Sequence, residues 1–335
     1  MGAQEQTGTG RFQRGDGRRT DAPGDLPKRS WMGVLKCTFR EFKEDNLTDW
    51  AAALTYYGVL SLFPALLVLV SIVGLAGDSA IDTLKENIAA MAPGDAANIA
   101  NDAIENLRGS GTAGLMAIVG VLIALWSASN YVGAFMRASN AIYEVDEGRP
   151  FYKVRPLQLG ITLVMVLALA LCAIAVVVSG PLAQRVGDVI GLGDTAVTVF
   201  NIAKWPVIAL VFMTMLAFLY YAAPNVKHPK FRWVSPGGIV GVVIWLVASA
   251  AFALYVANFG SYDKTYGSLG GVIAFLTWLW ISNIAVLLGA EFNAEAERAK
   301  QIEEGMPEDR EPFLEPRDTT KIDKERAKAA QSSTK

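Results

Sequence analysis

Six stretches of this chain contain no Asp, Glu, Lys or Arg: Ala51–Gly77, Gly109–Met136, Pro156–Gln184, Trp205–Val226, Trp233–Tyr262 and Thr265–Ala290. They are 27, 28, 29, 22, 30 and 26 residues long. A helix needs roughly 20 apolar residues to cross the hydrocarbon core of a bilayer. Inside lipid every backbone N–H and C=O must be satisfied within the protein, which makes helices the economical reading of such runs. The sequence therefore predicts an all-α polytopic membrane protein with six transmembrane helices.

Lys and Arg set the orientation. Nine precede the first span, four flank the second connection, three lie in the fourth, and nine follow the last span, which makes 25. The three intervening connections hold the other 5 of the chain's 30. This asymmetry predicts cytoplasmic N- and C-termini for a multi-pass membrane protein. Residues 1–30 hold no apolar signal-peptide core, so insertion is expected to use the first span itself. A net charge of −2 gives no general attraction to nucleic acid. Cys37 and Cys172 lie far apart, with no disulfide expected between them.

Outside the spans, residues 1–29 and 305–335 read as disordered cytoplasmic tails, leaving a transmembrane domain over 30–304. Within 31–49, Trp31, Val34, Leu35, Phe39 and Phe42 recur at helical spacing among Lys36, Arg40 and Lys43. That pattern predicts an amphipathic helix suited to a membrane surface or to capping the bundle. Residues 79–108 read as an extracytoplasmic amphipathic hairpin broken at Pro93-Gly94. Membrane lipids are the expected partners, with the hairpin and the tails as places for protein partners.

Several residues punctuate the spans. Pro64, Pro224, Pro236, Gly237, Gly267 and Gly271 read as hinges, caps or close-approach points. Ser235 is placed to cap the helix that Pro236 opens. Four polar residues fall near cytoplasmic span ends: Asn130, Asn140, Asn225 and Glu291. Lipid would reject each of them, so they are expected to converge around a cytoplasm-facing cavity or to bond helix to helix. Glu291 could also neutralise a basic loop residue such as Arg137 or Arg155. The chain has one His, no Walker loop, no GxSxG elbow and no HExxH helix. No enzyme, metal site or cofactor is expected. The uncharged spans suit a neutral or amphipathic cargo better than an ion.

Motifs in a fixed order carry a resemblance: AAALTYYGVLSLFP over 51–64, LWSAS over 125–129 with NAIY over 140–143, YYAAPN over 220–225, Pro236-Gly237, YGSLG over 266–270, and WLW at 278–280 running to LGAE over 288–291. The chain resembles the YihY/BrkB family of bacterial inner-membrane proteins, once labelled ribonuclease BN, over about residues 31–300. The resemblance implies a six-span fold. It implies no activity: the ribonuclease label is regarded as mistaken, and one branch is linked by name to virulence. The functional expectation is a transporter or transport component for a lipid or amphipathic envelope molecule. The alternative is a membrane scaffold or binding protein that organises envelope machinery.

Overall fold

The computed structural model describes residues 28–75, 82, 85, 86, 102, 113–177, 193–228, 231, 233–258, 268–308 and 310–332. The described secondary structure is helical, with one antiparallel bridge joining Val226 to Pro316. The helices are α1 (Lys28–Glu44), α2 (Leu47–Leu75), α3 (Ala113–Ile142), α4 (Phe151–Val177), α5 (Gly193–Ala222), α6 (Pro236–Asn258), α7 (Ser268–Glu303) and α8 (Thr320–Ser332). Among the described residues, four stretches are long and apolar enough to cross a membrane: Phe151–Cys172, Ile202–Ala222, Pro236–Val256 and Gly270–Glu303. α2 and α3 are comparably long, at 29 and 30 residues. Large apolar side chains stand exposed along these helices, among them Leu163, Leu167, Trp205, Val247 and Leu254. Water would penalise such surfaces, and lipid solvates them.

Charge bounded the expected spans, and several helices overrun those bounds, whereas α6 stays inside its own. α5 begins at Gly193 and continues through Lys204 and Pro206 into the run expected to start at Trp205. α7 extends to Glu303, as its charged continuation suggested. α2 is helical through Pro64. The expected helix over 31–49 instead stops at Glu44. Asn46, at φ 51°, takes the left-handed conformation that Asn tolerates, and its carbonyl accepts from Asp49 N and Trp50 N to open α2. α5 ends at Ala222, two residues before Pro224. Gly267 and residues 1–27 lie outside the described residues, as does the 79–108 segment apart from Asp82, Lys85, Glu86 and Asp102.

The chain forms two compact units. One comprises residues up to Thr55, Phe135–Pro150 and Leu216–Lys335; the other comprises Tyr56–Ala134 and Phe151–Met215. In the first, α6 packs on α7 through glycines. A Cβ on Gly237 would collide with the Gly289 carbonyl, and one on Gly289 would meet both the Gly237 carbonyl and the Tyr220 hydroxyl. Backbones approach this closely because small residues leave room, the usual basis of helix association in lipid. Polar bonds then fix the register. Trp245 Nε1 donates to Ser282 Oγ at 3.0 Å, and Trp278 Nε1 donates to Ser249 Oγ at 3.2 Å. Ser235 Oγ caps α6 by accepting from Gly238 N, while Asn293 accepts from Gly237 N and donates to Ser235 Oγ. α1 seats Val34 against Phe292, Ala296 and Ala299, and Trp31 stacks on Phe292 with centroids 5.8 Å apart.

The expectation of a disordered 305–335 tail fails over the described part of that segment. Residues 313–318 form a strap on the first unit. Phe313 and Leu314 are buried, and Lys227 N donates to the Glu315 carbonyl while Arg317 N donates to that of Asn225. Prolines and charges dominated the composition. Two adjacent apolar residues plus a short backbone pairing are enough to hold the strap. α8 follows, with no buried residue.

Candidate functional site

Two of the four expected polar residues meet. Asn225 N donates to Asn140 Oδ1 at 2.8 Å, and Asn140 Nδ2 donates to Glu147 Oε2 at 3.0 Å. Asn225 Nδ2 donates to the carbonyls of Asp146 and Asp318 at 3.1 and 2.9 Å, and its Oδ1 accepts from Asp318 N at 3.1 Å. Glu147 holds Arg149 bidentately at 2.6 and 2.7 Å, and Arg149 Nη2 also donates to the Ala223 carbonyl. Asn140, Asn225 and Arg149 are all buried. The amides of Asn140 and Asn225 thus find acceptors and donors within the protein, so this is a closed clasp rather than the lining of a cavity. It ties the end of α3, the turn after α5 and the strap together. A Cβ on Gly148 would strike the Asp318 carbonyl, so the strap lies directly on the α3–α4 turn.

Asn130 does not join them. It sits in the second unit, where its Oδ1 accepts from Arg155 Nη1 at 3.2 Å. Arg155 Nη1 also donates to Gln158 Oε1 at 3.0 Å and Ser129 Oγ at 3.4 Å. The guanidinium lies 4.5 Å from the Trp126 ring centroid and 5.8 Å from that of Phe151. Among the described residues, the hydrogen-bond acceptors of Arg155 are thus neutral oxygens. In the sequence Arg155 reads only as a charge; its spacing from Gln158, one turn apart on α4, is the signal that could have joined the two.

Glu291 is 1% exposed, and its Oε2 has no hydrogen-bond partner. The charged groups acting on it are Asp45, Glu295, Glu41 and Glu144, all acidic. Among the described residues no group of His, Cys, Asp and Glu is arranged to hold a metal ion. Burial, then the neighbouring Glu41 and Glu44, push Asp45 up to about 6. Burial and the Glu311 carboxyl beside it push Glu144 up to about 7. His228 moves the other way. Burial, with Arg317 nearby, lowers it to about 4, and its ring is tucked against Tyr143 and Tyr221. Burial raises the Cys37 thiol to about 11, and both cysteines are free.

The hinge and cap residues divide. Pro236 and Gly237 open α6 under the Ser235 cap, and Gly237 permits the contact with Gly289. Gly271 lies inside α7, and a Cβ there would meet nothing within 4 Å, so no close approach requires it.

Long apolar helices with lipid-compatible surfaces, fastened to one another by buried polar bonds, define a multi-pass membrane protein. The chain belongs to the virulence factor BrkB family, whose model matches residues 38–312. It is 31% identical over 279 residues to a ribonuclease-like protein, YfkH, of Bacillus subtilis (strain 168), covering 82% of this chain and 99% of that one. It is 28% identical over 267 residues to a UPF0761 membrane protein of Alteromonas mediterranea, covering 79% and 86%. A UPF0761 membrane protein of Alkalilimnicola ehrlichii is 31% identical over 75% of this chain, which spans only 55% of that relative's length. No solved structure matches the chain.

Proposed function

We propose that this is a six-span protein of the bacterial inner membrane, with cytoplasmic termini, that moves a lipid or other amphipathic envelope molecule or forms part of a machine that does. The Lys/Arg asymmetry supports the orientation. α2 and α3, long and apolar, supply the two spans beyond the four already recognised. One observation carries the cargo class. Between Arg155 and Val177 of α4, throughout α6, and from Ser268 to Ala290 of α7, there is no Asp, Glu, Lys, Arg or His. A permeating ion would find no counter-charge there, whereas a molecule with acyl chains needs none.

The test is reconstitution of the full chain into vesicles holding a trace of headgroup-labelled phospholipid. The reading expects inner-leaflet label to become accessible to an external quencher faster than in protein-free vesicles. Equal rates would sink it. A second reading, a scaffold for envelope machinery, is supported by α8, which buries no residue, and by Met32, Leu35 and Phe39, which stand exposed on α1 opposite its packed face. Partners that co-purify in mild detergent and are lost on deleting α8 would favour it.

A further inference from the structure

From the geometry around Arg155 we infer that its guanidinium binds the phosphate of a membrane-lipid headgroup. The inference rests on α4 lying in the bilayer and not on any cargo being moved.

The site is built. Ser129 is fully buried, and its Oγ donates to the Trp126 carbonyl at 2.6 Å, so the oxygen offered to Arg155 is fixed. Gln158 is 8% exposed and lies against Gly133, where a Cβ would meet its amide nitrogen at 2.8 Å. Only a glycine at 133 lets Gln158 hold this position without displacement. Thr162 Oγ1 donates to the Gln158 carbonyl at 2.7 Å. Three neutral oxygens thus converge on one nitrogen, Nη1, and the Trp126 ring backs the guanidinium plane. Holding an arginine this way removes rotamer freedom before any ligand arrives.

Among the described residues no carboxylate lies within ion-pair distance of Arg155, whereas Arg149, six residues earlier, is neutralised by Glu147. A guanidinium has five N–H donors, and those on Nε and Nη2 have no acceptor among the described residues. A planar fork with free donors matches a phosphate. Its surroundings match the rest of a lipid. Trp126 and Phe151 are exposed beside the arginine, and Tyr152 is exposed next to Phe151. Aromatic rings with a nearby cation are the usual dressing of the headgroup level. One turn from Trp126 on α3, Leu122 is 60% exposed, and Ile123 beside it is 64% exposed, offering an apolar ridge on which acyl chains can lie.

Native mass spectrometry of the full chain, released from micelles doped with phosphatidylglycerol or with diacylglycerol of the same chains, tests this. Wild type is expected to retain phosphatidylglycerol and not diacylglycerol. Arg155→Gln should lose at least fivefold of the retained lipid. Arg155→Lys, which keeps charge but not the fork, should lose less. Trp126→Leu, which leaves the arginine in place, should lose about twofold, the scale of one exposed cation–π contact. Equal retention by wild type and Arg155→Gln overturns the inference, as does equal retention of diacylglycerol. Displacement by inorganic phosphate at matched concentration would overturn the assignment to lipid. A failed lipid-movement assay beside intact phosphate-dependent retention would leave this site standing.

Discussion

Asn130 and Asn140 are ten residues apart on α3, about 15 Å along its axis, and they live in different chemistry. Asn140 is buried among donors and acceptors that are all protein. Asn130 is half-buried and leans on an arginine whose Nε and Nη2 donors meet no acceptor among the described residues. Residue type does not separate structural glue from a binding site in a membrane helix. What separates them is whether the polar set closes on itself. The amides of Asn140 and Asn225 close on protein partners, although Arg149 Nη1 beside them is buried without one. The Ser129–Asn130–Gln158–Arg155 set stays open among the described residues, at Arg155 Nε and Nη2.

The largest expected effect is on the closed set. Asn225→Ala removes three side-chain hydrogen bonds and strands Asp318 N, and should cost about 3 kcal/mol of stability. Unfolding of the purified protein in mild detergent measures it. A loss below about 1 kcal/mol, within the range of a single hydrogen bond, would mean the clasp is incidental.

His228 gives a smaller effect, and it depends on pH. Its folded value of about 4 lies below the usual 6.5. Between those values the unfolded chain takes up a proton that the folded chain refuses, so stability falls as pH drops through that window. Asp45 and Glu144, raised to about 6 and 7, act with the opposite sign: their stability contribution is lost as pH rises. His228→Phe keeps the ring contacts and leaves both carboxyls in place. The difference between variant and wild type should therefore grow in the variant's favour on acidification, to about 2 kcal/mol at pH 5. Parallel pH curves would show that the ring is not held neutral. Asn130→Ala, with one bond to lose, should cost under about 1 kcal/mol.

Much of the architecture could be read from the sequence because lipid imposes one strong rule, the absence of charge. That rule located the long helices and failed at their ends, where Lys204 rides inside α5 and Glu291 inside α7. The Ser235–Pro236 start of α6 was legible because caps are local chemistry. The meeting of Asn140 with Asn225 was expected from their shared depth. The strap that completes the clasp was not, because Phe313-Leu314 is too short a run to show periodicity. Arg155 was visible only as a charge. That its partners would be neutral depends on Gly133 making room for Gln158, a contact between two helices that no local pattern encodes.

The central claim is the division between a closed structural clasp and an open lipid-reading arginine. Measuring melting and retained phosphatidylglycerol together on Asn140→Ala and Arg155→Gln tests it most directly. The account predicts a crossed result: Asn140→Ala melts lower and keeps its lipid, while Arg155→Gln melts close to wild type once delipidated and loses it. Loss of lipid from Asn140→Ala at unchanged melting, with retention by Arg155→Gln, would contradict it.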